Sequence, residues 1–99
     1  MPNSLQTQNK ARWTSGAQKS YNATLCRIAM QDDATHAIFE RRVTQALALL
    51  ATQPSLGTPT ADVKVRSFAI PKTGHTLEYQ IIQGTVLVVR WYRQRRKRS

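Results

Sequence analysis

Apolar positions fall into two regimes along this chain. From residue 15 to about 52 they recur every three or four positions, and from 63 to 92 they tend to alternate. The first period is that of an amphipathic helix and the second that of a half-buried strand. Ala17, Tyr21, Leu25 and Ile28 mark the buried stripe of a first helix, running from about 15 to about 30. Ser15 and Gln18 fit a capping box at its start, with Ser15 as the N-cap. Asp32-Asp33 breaks that helix and can cap a second over 33–52, whose stripe is Phe39, Val43, Ala46, Leu47 and Leu50. The tight acidic turn between them predicts an antiparallel helical hairpin. The Pro- and Gly-rich stretch from Gln53 to Thr60 reads as a loop.

The alternating part predicts strands over 63–70, 75–82 and 85–92, with a short strand near 10–14 ahead of the helices. Pro71-Lys72-Thr73-Gly74 is a turn, and Gln83-Gly84 is a two-residue hairpin loop. Regular pairing outward from that loop sets Leu77 opposite Arg90 and His75 opposite Tyr92. One sheet face then carries His75, Leu77, Tyr79, Ile81, Val86, Val88, Arg90 and Tyr92. The expected architecture is a single α+β domain over 1–99: a helical hairpin packed on a small antiparallel sheet, in the order β-α-α-β-β-β. Residues 1–9 read as a flexible leader and 93–99 as a polybasic tail.

Size and charge narrow the function. At 99 residues and 11.2 kDa the chain buries about two-thirds of its unfolded surface, enough for one core. No apolar run is long enough to cross a membrane, and the start lacks the apolar segment of a secretory signal. Cys26 is the single cysteine, so no internal disulfide can form. A reducing cytoplasm fits that composition. The net charge is +10 and unevenly spread: +4 over residues 1–31, −2 over 32–62 and +8 over 63–99. Such a field attracts nucleic acid, an acidic protein or an anionic surface.

The order of elements, with its basic end, resembles the ParE/RelE superfamily of bacterial toxins over about residues 10–95. Trp13-Thr14 with Ala17 resembles the first strand and helix start, and Ile28-Ala29-Met30-Gln31-Asp32-Asp33 the interhelical turn. Ala46-Leu47 with Leu50, then Pro54-Ser55-Leu56-Gly57-Thr58-Pro59, resembles the end of the second helix and its loop. Val65-Arg66 resembles the strand arginine. Gly74-His75, Leu77 and Tyr79, then Val86 to Arg93, resemble the last two strands. The resemblance implies the toxin of a type II toxin–antitoxin pair, with a cognate acidic antitoxin as partner. A homodimer or a toxin–antitoxin hetero-oligomer is the assembly such a role implies. It also implies one of two targets: DNA gyrase, as for ParE-like members, or mRNA in the ribosomal A site, as for RelE-like members.

Cleavage of mRNA needs a base for the 2′-OH, a clamp for the phosphate and an acid for the leaving oxygen. The residues that could serve are Lys64, Arg66, His75, Arg90, Tyr92 and Arg95. Lys64 and Arg66, two apart, would share a strand face, and the His75–Tyr92 register would set an acid–base pair beside Arg90. The structural alternative has Arg66 holding the sheet together, His75 following a turn and Tyr92 closing an edge. Thr76 stands where RelE-like toxins often carry an arginine, and Tyr92 where ParE-like toxins commonly carry histidine. These departures and the ParE-like loop favour gyrase, with no catalytic residue assigned and no cofactor or metal. Trp91, Arg93, Arg95, Arg96 and Arg98 are then the target-binding residues, a basic and aromatic surface. His36, four residues before Glu40, reads as a surface histidine, and Cys26 as a small core or semi-core residue. A plain basic nucleic-acid-binding module is the remaining alternative; a toxin, unlike such a module, is lethal alone and encoded beside an antitoxin.

Overall fold

The computed structural model describes residues 11–93. A two-residue strand β1 (Arg12–Trp13) leads directly into helix α1 (Ser15–Ala29), and a tight turn joins it to α2 (Asp33–Thr52). A single 3-10 turn (Pro54–Leu56) precedes β2 (Thr58–Pro59), followed by β3 (Arg66–Ile70), β4 (His75–Ile82) and β5 (Thr85–Arg93). The leader and the tail beyond Arg93, including Arg95, Arg96 and Arg98, lie outside the described residues.

Both helices start on a side-chain cap. At α1 the cap is Thr14, not Ser15: the Ala17 N–H donates to Thr14 Oγ1 at 3.2 Å, and Ser15 is already helical. Thr14 is still extended, which frees its hydroxyl to meet the orphan amides of the first turn. At α2 the Asp32 carboxylate accepts from the Thr35 amide at 3.2 Å and the Thr35 hydroxyl at 2.7 Å. Those bonds hold the Asp32 pKa below its usual value. Phe39, Val43, Ala46 and Leu50 are buried along α2, with Leu47 packed at the core margin. Cys26 is exposed, a correction to the semi-core expectation, because the buried side of α1 runs through Ala17, Tyr21, Thr24, Leu25 and Ile28.

The sheet order is β1-β5-β4-β3-β2. β2, β3, β4 and β5 pair antiparallel in succession, whereas β1 runs parallel to β5 through Arg12↔Leu87 and Trp13↔Val88. The sheet is thus mixed, not wholly antiparallel. The two hairpins β3–β4 and β4–β5 reverse the chain twice, so β5 points the way β3 does, and β1 adds to its outer side. β3 begins at Arg66 instead of residue 63. Asp62 draws the preceding residues into a turn, its Oδ1 accepting from the Lys64 amide and its carbonyl from the Val65 amide, both at 2.9 Å.

The β4–β5 loop is the two-residue turn expected, with Gln83 at φ 50° and Gly84 at φ 78°, the double positive φ of a type I′ hairpin. Pairing runs regularly from Ile82↔Thr85 to Tyr79↔Val88 and then slips: Glu78 faces Arg90, Leu77 faces Trp91 and His75 faces Arg93. Val89 is the extra residue of a β-bulge, and past it every β5 side chain changes face. The expected pairs Leu77–Arg90 and His75–Tyr92 therefore do not form. Trp91 replaces Arg90 and Tyr92 on the helix-covered side and is 3% exposed.

The loop after α2 is fastened to the inner side of the sheet. Buried Tyr79 donates its hydroxyl to the Pro54 carbonyl at 2.7 Å and accepts the Gly57 amide at 2.9 Å. A Cβ on Gly57 would lie 2.6 Å from Tyr79 Oη and 2.9 Å from the Ser67 carbonyl oxygen. Gly57→Ala is therefore expected to cost roughly 1–3 kcal/mol, the range for overpacking a filled site. A urea midpoint unchanged from wild type would show that the loop gives way freely.

Candidate functional site

The bulge sorts the candidate residues onto two faces of the sheet. On the helix-covered face Trp91 enters a continuous aromatic cluster. Its ring stacks on His75 at 5.3 Å and 13°, and meets Tyr21 at 4.8 Å and Phe39 at 6.0 Å edge to face. Tyr21 stacks on Trp13 at 4.9 Å, so β1 and both helices join one cluster. Trp91 Nε1 donates to Thr24 Oγ1 at 3.0 Å, and Thr24 in turn donates to the Ser20 carbonyl at 3.2 Å. Burial, with the Glu40 carboxylate nearby, pushes the Tyr21 phenol up to about 12. Trp91 is thus a core residue, and the expectation that it offers an exposed stacking surface is corrected.

His75 lies in the same cluster, 7% exposed. Its Nδ1 is 3.1 Å from the Thr73 carbonyl. With Nδ1–H donating there, Nε2 is an unprotonated acceptor, buried and without a hydrogen-bond partner. Burial lowers the His75 pKa; the Thr73 bond opposes this, and the positive charges of Arg93 and Arg27 reinforce it. The group is held neutral and closed off from a substrate.

On the open face, Glu78 is the centre that sequence reasoning missed. Its Oε1 lies 3.6 Å from Arg90 Nε, and its Oε2 accepts from the Tyr92 hydroxyl at 3.2 Å. Burial first, and then the Glu78 charge, raise the Tyr92 pKa. The signal for this trio was the bulge itself, since only the shifted register sets Glu78 against Arg90. Arg90 and Tyr92 therefore meet each other's neighbour but not His75.

Lys64 and Arg66 lie apart from both groups, whereas Arg93 stands opposite His75. Lys64 is in the Asp62 turn and shares no strand face with Arg66. Arg66 points its guanidinium at the latched loop, Nη1 donating to the Gly57 carbonyl at 2.7 Å and the Ser55 carbonyl at 3.3 Å. Arg93 ends β5 and is exposed. His36 Nδ1 sits 3.8 Å from Glu40 Oε1 on α2. Among the described residues no group of three or more His, Cys, Asp or Glu could hold a metal. A cleft of about 150 Å³ opens between α2 and β3, lined by Arg42, Gln45, Ala46, Leu49, Phe68 and Pro71.

This fold and these sequence segments agree with one family. Residues 11–98 match the family model described as the ParE toxin of the type II toxin–antitoxin system parDE. The chain belongs to the ParE toxin family. Among solved structures it is similar to one described as the chromosomal ParDE TA system from P. aeruginosa. The TM-score is 0.63 at 17% identity, covering 87% of this chain and 96% of that one. At that identity the likeness speaks for the fold. No curated protein matches the chain.

Membership makes this ParE-family chain the toxin half of a type II pair, with an antitoxin as its partner, and answers the bare binding-module alternative. No helix among the described residues is long and apolar enough to cross a membrane.

Two measurements check the roles of His75 and Arg66 in this toxin. The folded His75 pKa lies below the ordinary 6.5, so between the two values the unfolded chain binds more protons. Stability is then full above about pH 7.5 and falls as pH drops through about 6.5 toward the folded value. His75→Phe should flatten that part of a plot of urea midpoint against pH; an unchanged slope would assign it to another group. Arg66→Ala should cost about 2 kcal/mol, the scale of charge-assisted bonds to two carbonyls. Loss of toxicity with no change in Tm would instead make Arg66 a ligand for target phosphate.

Proposed function

We propose that this toxin arrests growth by binding and poisoning DNA gyrase. One observation carries the reading: the residues a nuclease would need point to different places. His75 is buried against Trp91 and Phe39, Lys64 sits in a turn, and Arg66 is committed to loop carbonyls. Catalysis requires acid, base and clamp within reach of one phosphate, and small misplacements are costly. Binding has no such requirement. Arg93, which ends β5, and Arg95, Arg96 and Arg98 after it in sequence are the proposed target-binding residues, and their charge suits a protein–DNA target.

A RelE-like ribosomal nuclease is the second reading, favoured by the Glu78–Arg90–Tyr92 trio on the open face. The trio contains a carboxylate, a cation and a phenol. Against it, the Glu78 carboxylate is already engaged at both oxygens, Oε1 by Arg90 and Oε2 by the Tyr92 hydroxyl.

Two assays separate these readings. Purified toxin added to gyrase and relaxed plasmid should block supercoiling or accumulate cleaved DNA, and ribosomes programmed with mRNA should show no A-site cut. An A-site cut lost in Glu78→Gln or Tyr92→Phe, with gyrase unaffected, would replace the gyrase reading by the nuclease.

A further inference from the structure

Helix α1 and strand β5 run side by side in the same direction, and each carries an arginine near its far end: Arg27 in the last turn of α1 and Arg93 as the last residue of β5. The Thr14 amide donates to the Val88 carbonyl at 3.0 Å where the two set out, and Trp91 Nε1 donates to Thr24 Oγ1 at 3.0 Å further along. The stretch from Thr14 to Arg27 advances about 20 Å as helix, and that from Val88 to Arg93 about 16 Å as strand. The two arginines therefore come nearly level. Arg27 follows Thr24 by one helical turn and shares its side. Arg93 follows Trp91 by two strand positions and faces the helix-covered side, opposite His75.

No carboxylate answers this pair. Both arginines are exposed, and neither ion pair among the described residues includes them. The positive charges of both reach His75, which stays neutral. The end of α1 does not absorb Arg27, since the Cys26 and Ile28 carbonyls already accept the Met30, Gln31 and Asp32 amides. Two like charges held at one margin by separate elements repel, and an anion seated there relieves them. The sequence after Glu78 contains no acid, and Arg95, Arg96, Lys97 and Arg98 follow Arg93. One carboxylate would answer a single member of such a series, whereas a nucleic-acid backbone brings a phosphate at every step. The planar guanidinium fork also matches phosphate oxygens.

We propose that Arg27 and Arg93 form a contact site for the backbone of a DNA duplex, each holding one of two successive phosphates of one strand, with the cations after Arg93 extending the track. The proposal deepens the gyrase reading and rests on it for the source of that duplex, the DNA that gyrase holds. Contacts of this kind read no base; they fix how the toxin lies on the duplex. The bulge at Val89 takes part in building the site. With regular pairing Arg93 would stand on the open face, away from Arg27, and only the shifted register sets it opposite His75. The Trp91–Thr24 bond then holds the two elements in step, one position before each arginine on its own face.

The test titrates full-length toxin against a fluorescein-labelled DNA duplex by anisotropy over a range of salt concentrations. Arg27→Gln, Arg93→Gln and the double variant are compared with Arg41→Gln, which removes the same charge from an exposed position on α2. Tm of each variant reports its fold. Each site variant should lower the slope of log affinity against log salt by about one, and the double variant by about two. At fixed low salt each site substitution should weaken binding about tenfold, the scale of a lost charge-assisted bond. The Arg41→Gln control should keep the wild-type slope. Equal slopes for site variants and control, or no binding of the duplex by wild type, would overturn the site. Loss of affinity for the purified antitoxin, with duplex affinity kept, would overturn it in favour of an acidic protein. A supercoiling assay separates the two readings. Gyrase blocked equally by wild type and the double variant would keep the gyrase reading and overturn the site. Duplex binding that depends on Arg27 and Arg93, with gyrase unaffected, would support the site and remove the gyrase reading.

Discussion

One inserted residue governs the arrangement of this molecule. Val89 has no counterpart on β4, and its bulge turns β5 over just before the strand ends. Without it, Trp91 would stand on the open face and Arg90 would face the helices. An unpaired arginine there would carry a desolvation cost of several kcal/mol. With it, the largest side chain of the strand reaches α1 and α2 and joins the aromatic cluster that ties β1, both helices and the sheet together. The same inversion moves Arg90 and Tyr92 outward to Glu78. Core packing and the polar chemistry of the open face thus follow from a single change of register.

A second constraint acts at the other side of the sheet. Tyr79 and Arg66, opposite each other on the inner face, both bind backbone of the loop after α2. The phenol is donor to one loop carbonyl and acceptor of one amide; the guanidinium takes two carbonyls. These bonds satisfy main-chain groups that would otherwise meet a buried tyrosine unpaired. They also bring the loop so close that residue 57 has no room for a side chain. Short β2 is held in place by this latch as much as by its own pairing. Beyond the latch, no strand among the described residues pairs with this side of β3.

The parts legible in the sequence are those whose signal is periodic. Both helices, the I′ turn at 83–84 and the helix-facing run of β4 follow from apolar spacing and turn residues. The bulge was hidden because Val86-Leu87-Val88-Val89 is continuously apolar and erases the alternation that would expose a slip. One signal remained in Trp91, which falls on the wrong face for a core tryptophan unless an extra residue intervenes. The partners of Arg66 had no signal at all, since backbone carbonyls leave no trace in composition. The parallel pairing of β1 rests on two residues, too few for periodicity to report. The pairing of His75 with Tyr92, weighed only for the alternative nuclease reading, failed for the same reason as the register, and Glu78 escaped notice with it.

The distribution of the positive charges argues for association over chemistry. Arg66 is held by loop carbonyls and Arg90 by Glu78. Arg27, Arg41, Arg42, Lys72 and Arg93 meet no carboxylate among the described residues and come from both helices, a turn and the last strand. A phosphate clamp needs its cations converging on one point, whereas a steering field and a neutralising partner act on charges spread over a surface. Self-repulsion at +10 is relieved by any acidic chain that binds the folded toxin and not the unfolded one, and that linkage stabilises the complex by mass action. Cations dispersed in this way suit a partner that covers a surface, such as the antitoxin of a type II pair, better than the grip of a single phosphate.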